Sequence, residues 1–90
     1  MKFLVYFEID PKNRNENFKR LKAETSEGVG IGEGTKLLST WVSATLLEGW
    51  CIIEADDASG LGATMKNWTD LNVNHVTPIL SGDEVLELFP

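Results

Sequence analysis

Apolar and polar residues alternate so as to divide the chain into four strands and three helices. KFLVYFEI (2–9) is β-branched and aromatic with no breaker, and its odd positions Phe3, Val5, Phe7 and Ile9 are all apolar. Side chains along a strand point to alternate faces, so these four share one face. Asp10 and Pro11 stop the strand and open a helix, since proline suits a first helical position. Over 13–25 the spacing predicts a helix with Phe18, Leu21 and Thr25 on one face. EGVGIGEGT (27–35), with four glycines at alternate positions, reads as a flexible loop. KLLSTWVSA (36–44) and GWCIIEA (49–55) are two strands joined by a turn near TLLE (45–48). DDASGLGATMKNWTDL (56–71) follows as a helix capped by Asp56 or Asp57, with Leu61, Met65 and Trp68 inward. Gly60 and Gly62 each weaken that helix by up to ~1 kcal/mol relative to alanine, so packing must hold its first turns. NVNHVTPIL (72–80) is a fourth strand. SGDEVLELFP (81–90) carries a capping-box pattern from Ser81 to Glu84 and a short apolar stripe of Val85, Leu88 and Phe89.

The order β-α-β-β-α-β plus a terminal helix predicts an α+β chain, one domain over 1–90, with a ferredoxin-like antiparallel sheet in the spatial order 4-1-3-2. Strands one and three are the most apolar and suit the centre, while Pro78 belongs at an edge. Parity assigns Leu38, Thr40, Val42, Cys51, Ile53, Ala55, Val76 and Pro78 to the helix side with the strand-one set. This register puts Trp41 near Ile52 and Ser43 near Trp50. The other face then carries Leu4, Tyr6, Glu8, Leu37, Ser39, Trp41, Ser43, Trp50, Ile52, Glu54, Val73, His75, Thr77 and Ile79. That face is too apolar to meet water. One buried Trp removes roughly 200 Å² from water, worth up to ~5 kcal/mol, and two beside Leu, Ile and Tyr exceed what soluble monomers leave bare. The expectation is a cover supplied by the same face of a second copy, giving a sandwich or barrel with a semi-polar interior.

Composition narrows the partners. With 90 residues the core is modest, and a second subunit would help complete it. Hydrophobic residues at 42% and charged residues at 24% are globular proportions. A net charge of -6, from 14 acidic and 8 basic residues, repels phosphate backbones. The only basic stretch, KNRNENFKRLK (12–22), is broken by Glu16 and reads as a solvated helix side, so no nucleic-acid partner is expected. Cys51, the single cysteine, can form no internal disulfide and predicts a reducing, cytoplasmic setting. It points toward the helices as an inert core thiol. The apolar run before Glu8 is too short for a signal-peptide core, and no stretch predicts a membrane span. NWT (67–69) matches a glycosylation acceptor by letters alone.

MKFLVYFEI, TKLLSTWV, CIIEADDA, WTDL and VTPIL, in that order, resemble the small bacterial family known as domain of unknown function 3303. The most specific pieces are the EADD turn and the W-x-D-L…V-T-P run, and the resemblance covers nearly the whole chain. It implies a dimeric α+β barrel, a homodimer built through the sheet face. It carries over no catalytic residue, and fold-level relatives include monooxygenases, isomerases, haem-handling enzymes and ligand-sensing modules, so fold does not choose among them. GVGIGEGT departs from the family pattern in being longer and richer in glycine than its usual Pro-Glu-Gly approach.

The candidate chemistry lies on the tryptophan face. Tyr6, His75 and Glu54 are the candidate catalytic residues, because burial and neighbouring charge can bring Glu or His toward neutrality for proton transfer. Trp41, Trp50, Leu4 and Ile52, with Glu8, are the candidate ligand-binding set for a flat apolar molecule. The plain alternative makes the polar groups rim pairs of a dimer and the apolar ones its packing. GVGIGEG holds no G-x-G-x-x-G in register and no P-loop can be written. Asp56 and Asp57 argue against an anion at SGLG. One His and one Cys on opposite faces predict no metal site, and no cofactor is expected. Aromatics without basic neighbours make an RNA-binding sheet a weak third choice. The sequence thus predicts a homodimer that binds a small apolar molecule, or isomerises or oxidises it without a cofactor. The rival is a structural or regulatory dimerisation module that uses its helices for contacts.

Overall fold

A computed structural model describes residues 1–27, 32 and 34–90, so most of the glycine-rich loop read over 27–35 lies outside the described residues. β1 (Lys2–Ile9), β2 (Thr35–Val42), β3 (Glu48–Ala55) and β4 (Asn72–Ile79) form one antiparallel sheet in the order β2-β3-β1-β4. This is the predicted 4-1-3-2 order read from the opposite edge. A 3-10 turn, Pro11–Asn13, leads into α1 (Arg14–Glu27); α2 (Ala58–Met65) follows β3, and α3 (Gly82–Leu86) ends the chain. The fold is the α+β, ferredoxin-like arrangement with a short C-terminal helix.

The helix entries are set locally. Asp10 Oδ1 accepts from the Lys12 amide at 3.0 Å with Pro11 in the first position. Asp57 caps α2 by accepting from the Gly60 amide at 2.9 Å. In α3, Ser81 Oγ accepts from the Glu84 amide at 3.1 Å while Glu84 Oε1 accepts from the Ser81 amide at 3.0 Å, the predicted capping box. α2 stops well short of the predicted 71. Asn67 Nδ2 donates to the Ala63 carbonyl at 3.2 Å, and Trp68 bonds back to Met65 rather than Thr64, tightening the chain into a turn. Trp68 therefore reaches inward from a turn and not from the helix.

The buried hydrophobic core is Phe3, Val5, Phe7 and Ile9 from β1 with Ile53 and Ala55 from β3, all of one parity. The helices lie on that side. Three residues assigned there are exposed: Val76 and Pro78 sit on the edge strand β4, at the border of the helical cover, and Leu38 is the unpaired residue of an irregularity in β2. On α1 the inward stripe is Asn17, Leu21 and Glu24, not Phe18, Leu21 and Thr25. Phe18 is half-buried and the Thr25 side chain lies outside the described residues. The rotation follows from what the segment after α2 offers. Asn13 donates to the Leu71 carbonyl at 3.2 Å, Asn72 donates to Asn17, and Arg20 grips the Asn67 carbonyl at 2.9 Å and both Asp70 oxygens at 2.8 and 2.9 Å. A line of polar residues along the 3-10 turn and α1 thus binds them to 67–72.

Two strand details differ from the sequence reading. Trp41 lies opposite Trp50, and Ser39 opposite Ile52, a shift of two residues that keeps parity. The hairpin closes through Ser43 N–H to the Glu48 carbonyl at 2.9 Å, with Ser43 Oγ accepting from Thr45 N–H at 3.2 Å and Leu46 at φ 64° completing the turn. A β-bulge between Leu37 and Ser39 places Leu37 opposite Ile53, on the helix side, and brings Lys36 onto the tryptophan face opposite Glu54.

Gly49 is required by a close approach: an added Cβ would collide with the Phe7 ring and stand 2.7 Å from the Trp41 carbonyl. At Gly62, inside exposed α2, nothing lies within 4 Å of such a Cβ. Gly49→Ala is therefore expected to cost about 1–3 kcal/mol, whereas Gly62→Ala gains up to ~1 kcal/mol. Urea unfolding should move the two midpoints in opposite directions.

Candidate functional site

The register aligns four rings in a single row across the sheet. Trp41 of β2 faces Trp50 of β3, Trp50 faces Tyr6 of β1, and Tyr6 faces His75 of β4. Tyr6 lies 5.6 Å from Trp50 at 32° and 5.6 Å from His75 at 22°, centroid to centroid. Cross-strand ring pairs of this kind each contribute roughly 0.2–1 kcal/mol. The next row is Ser39, Ile52, Leu4 and Thr77, and the end row is Lys36, Glu54, Lys2 and Ile79. On the other side of the rings, Glu48 faces Glu8 and Glu8 faces Val73. The row is solvent-facing: Trp41 is 70% exposed and Trp50 36%.

This arrangement sorts the candidate residues. Tyr6, Glu8, His75, Trp41 and Trp50 come together, and Leu4 and Ile52 form the apolar row beside them. Glu54 does not join them. It lies four positions along β3 from Trp50, roughly 13 Å at strand spacing, between Lys2 and Lys36. The carboxylate that the fold gives to His75 is Glu8, with Nε2 and Oε2 3.0 Å apart. Glu8 also faces the like-charged Glu48 across the strands. Partial desolvation, then the charges of Glu48 and Glu8, push the Tyr6 hydroxyl above its ordinary value. One end of the aromatic strip thus carries the His75–Glu8 pair beside the stacked Tyr6 ring, groups able to orient a polar group or move a proton.

A second polar centre lies between the helices and the sheet, and sequence reasoning missed it. A cavity of about 40 Å³ is lined by Asn17, Leu21 and Glu24 of α1, by sheet residues including Phe7, Thr40 and Cys51, and by Thr64, Met65, Trp68 and Asn72. Glu24 is only 7% exposed. Burial pushes its carboxyl up to about 7, against the smaller opposing effect of a hydrogen bond from Trp68. Burial, with the Glu24 charge, also pushes the Cys51 thiol up to about 12, which makes it an inert core thiol. The signal was present in α1: a helix whose only large apolar residues are Phe18 and Leu21 must bury polar groups if it is to cover a sheet. Among the described residues no three His, Cys, Asp or Glu side chains gather as metal ligands, and no helix is long and apolar enough to cross a membrane.

The raised Glu24 value has a definite sign. Between the ordinary glutamate range and about 7 the folded chain holds a proton that the unfolded chain has lost. Stability is therefore full at acid pH and falls as pH rises through about 7, by on the order of 3 kcal/mol. Urea unfolding at about pH 5 and about pH 8 should show this loss, and Glu24→Gln, which keeps an acceptor for Trp68, should remove most of it.

No curated protein matches the chain. The family model described as Domain of unknown function (DUF3303) matches residues 1–90. That match covers all 90 positions of the sequence, and the chain belongs to the DUF3303 family.

Proposed function

We propose that the chain works as a homodimer whose two sheet faces close on each other and hold a small, flat, largely apolar molecule along the aromatic row. The observation that carries this is the exposure of Trp41 and Trp50 on a face that no described element covers. Four strands of eight residues span roughly 19 by 26 Å, about 500 Å² in projection before side-chain relief is counted, against about 800 Å² per partner in standard interfaces. Exposed Leu86, Leu88 and Phe89 at the chain end add to the apolar surface available.

Charge favours a second copy as the cover. One end of the face carries Lys2 and Lys36 around Glu54, and the other carries Glu8 and Glu48. A two-fold axis along the rows sets the lysine end of one copy over the glutamate end of the other. The same axis carries Glu54 of one copy toward the Glu8 and His75 end of its mate. Tyr6, His75 and Glu8 then serve as polar recognition groups, or as the acid and base of a simple isomerisation or cofactor-free oxidation, while Trp41, Trp50, Leu4 and Ile52 hold the apolar body. A half-buried thiol held well above its ordinary pKa suits a reducing, cytoplasmic setting.

Sedimentation equilibrium should give twice the 10.0 kDa chain mass, and Trp41→Glu, which alters a side chain outside the core, should give a single chain mass. The dimer should enhance 1-anilinonaphthalene-8-sulfonate fluorescence, and Trp50→Ala should keep the dimer mass but lose most of the enhancement. A wild-type monomer sinks the proposal. A dimer that takes up no probe has a solid interior and is a structural or regulatory module instead.

A further inference from the structure

Most of the large apolar residues left exposed beyond the aromatic row gather at the two ends of the sheet. At the lysine end, Ile79 closes β4 opposite Lys2 and the chain runs through exposed Leu80 into α3. Leu86, Leu88 and Phe89 stand there 70%, 65% and 71% exposed. At the glutamate end are Val73 of β4, opposite Glu8, and Leu46 and Leu47 of the hairpin turn, all exposed.

The segment at the lysine end is ordered without being covered. Its capping box fixes the first turn, and Glu84 lines one groove with Met1, Lys2 and Glu54. Lys2, Glu54 and Ile79 form the end row of the tryptophan face, so α3 stands at the border of that face. The turns continue past it: the Leu88 amide donates to the Val85 carbonyl at 3.0 Å and the Phe89 amide to the Leu86 carbonyl at 3.2 Å. No residue of α3 is buried. An ordered apolar segment beside a bare apolar face extends that face.

Area says what covers it. The sheet alone offers roughly 500 Å² in projection, against about 800 Å² per partner in standard interfaces. Three exposed large side chains close most of that gap, since one aromatic ring alone can bury about 150 Å² or more. We propose that the segment 86–89 of each copy packs on the Val73 end of its mate and closes the cavity mouth beside His75. This inference rests on the sheet-to-sheet dimer proposed above. The two-fold axis that sets lysines over glutamates also carries Leu86, Leu88 and Phe89 toward the mate's Val73 and Leu47. Val73 and His75 are neighbours on one face of β4, so the incoming segment shelters the His75–Glu8 pair. Each site is then completed by the other chain.

Within one chain, Val73 lies six residues from Ile79 along β4, roughly 20 Å, so a contact between Phe89 and Val73 arises only between copies. Isotope-filtered NMR on an equal mixture of labelled and unlabelled full chains should show Phe89 ring protons against Val73 methyls. Leu88→Ser with Phe89→Ser, both outside the core, should raise the dimer dissociation constant at least about tenfold in sedimentation equilibrium. Val73→Ser should raise it too, and all three together by less than the product of the separate effects, as residues in contact do. A dimer that lacks the intermolecular contact, or that the serine variants leave unchanged, overturns this inference while the sheet-to-sheet reading stands. A wild-type monomer overturns both.

Discussion

The structure depends on a sheet that is apolar on both faces while the described helices pack on one. β1 shows the constraint most directly. Phe3, Val5, Phe7 and Ile9 are buried beneath the helical layer, while Leu4 and Tyr6, alternating with them, lie on the side where no described element follows. Period-two alternation lets neither set move without the other. A central strand of this composition asks for two covers, and among the described residues the helices supply the first.

That first cover is itself unusual in being so polar. α1 is held to 67–72 by amide and guanidinium contacts rather than by an apolar stripe, and its inward line ends in a carboxyl. The arrangement gives direction at the expense of close packing. Asn17, Asn72 and Arg20 fix where the helix lies, and the space left beside Leu21 and Glu24 is the cavity. The two candidate sites follow from the same fold in opposite ways: one is a surface left bare, the other a space left unfilled.

The strand order, both halves of the alternation on β1 and β3, and all three caps were legible in the sequence because each rests on short-range rules. Local chemistry at Asp10-Pro11, Asp57 and Ser81 through Glu84 determined where helices begin. What could not be read depended on distant partners. Asn17 and Glu24 face inward because residues 68 and 72 supply hydrogen bonds to them, and nothing in the spacing of α1 shows that. The bulge that turned Leu37 toward the helices leaves no mark in TKLLSTWV. Of the candidate site, the face was legible but the grouping was not: Glu8 rather than Glu54 accompanies His75, since β1 and β4 pair across more than 60 residues and no turn fixes their register.

The bulge in β2 has a further consequence for how copies of this chain can meet. β2 and β4 are the two open edges of the sheet. An unprotected edge offers a row of free amide and carbonyl groups on which a neighbouring strand can template without limit. Here one edge is kinked at Leu38 and the other carries Pro78, which has no N–H to donate. Lateral growth into a continuous ribbon is thereby blocked at both borders.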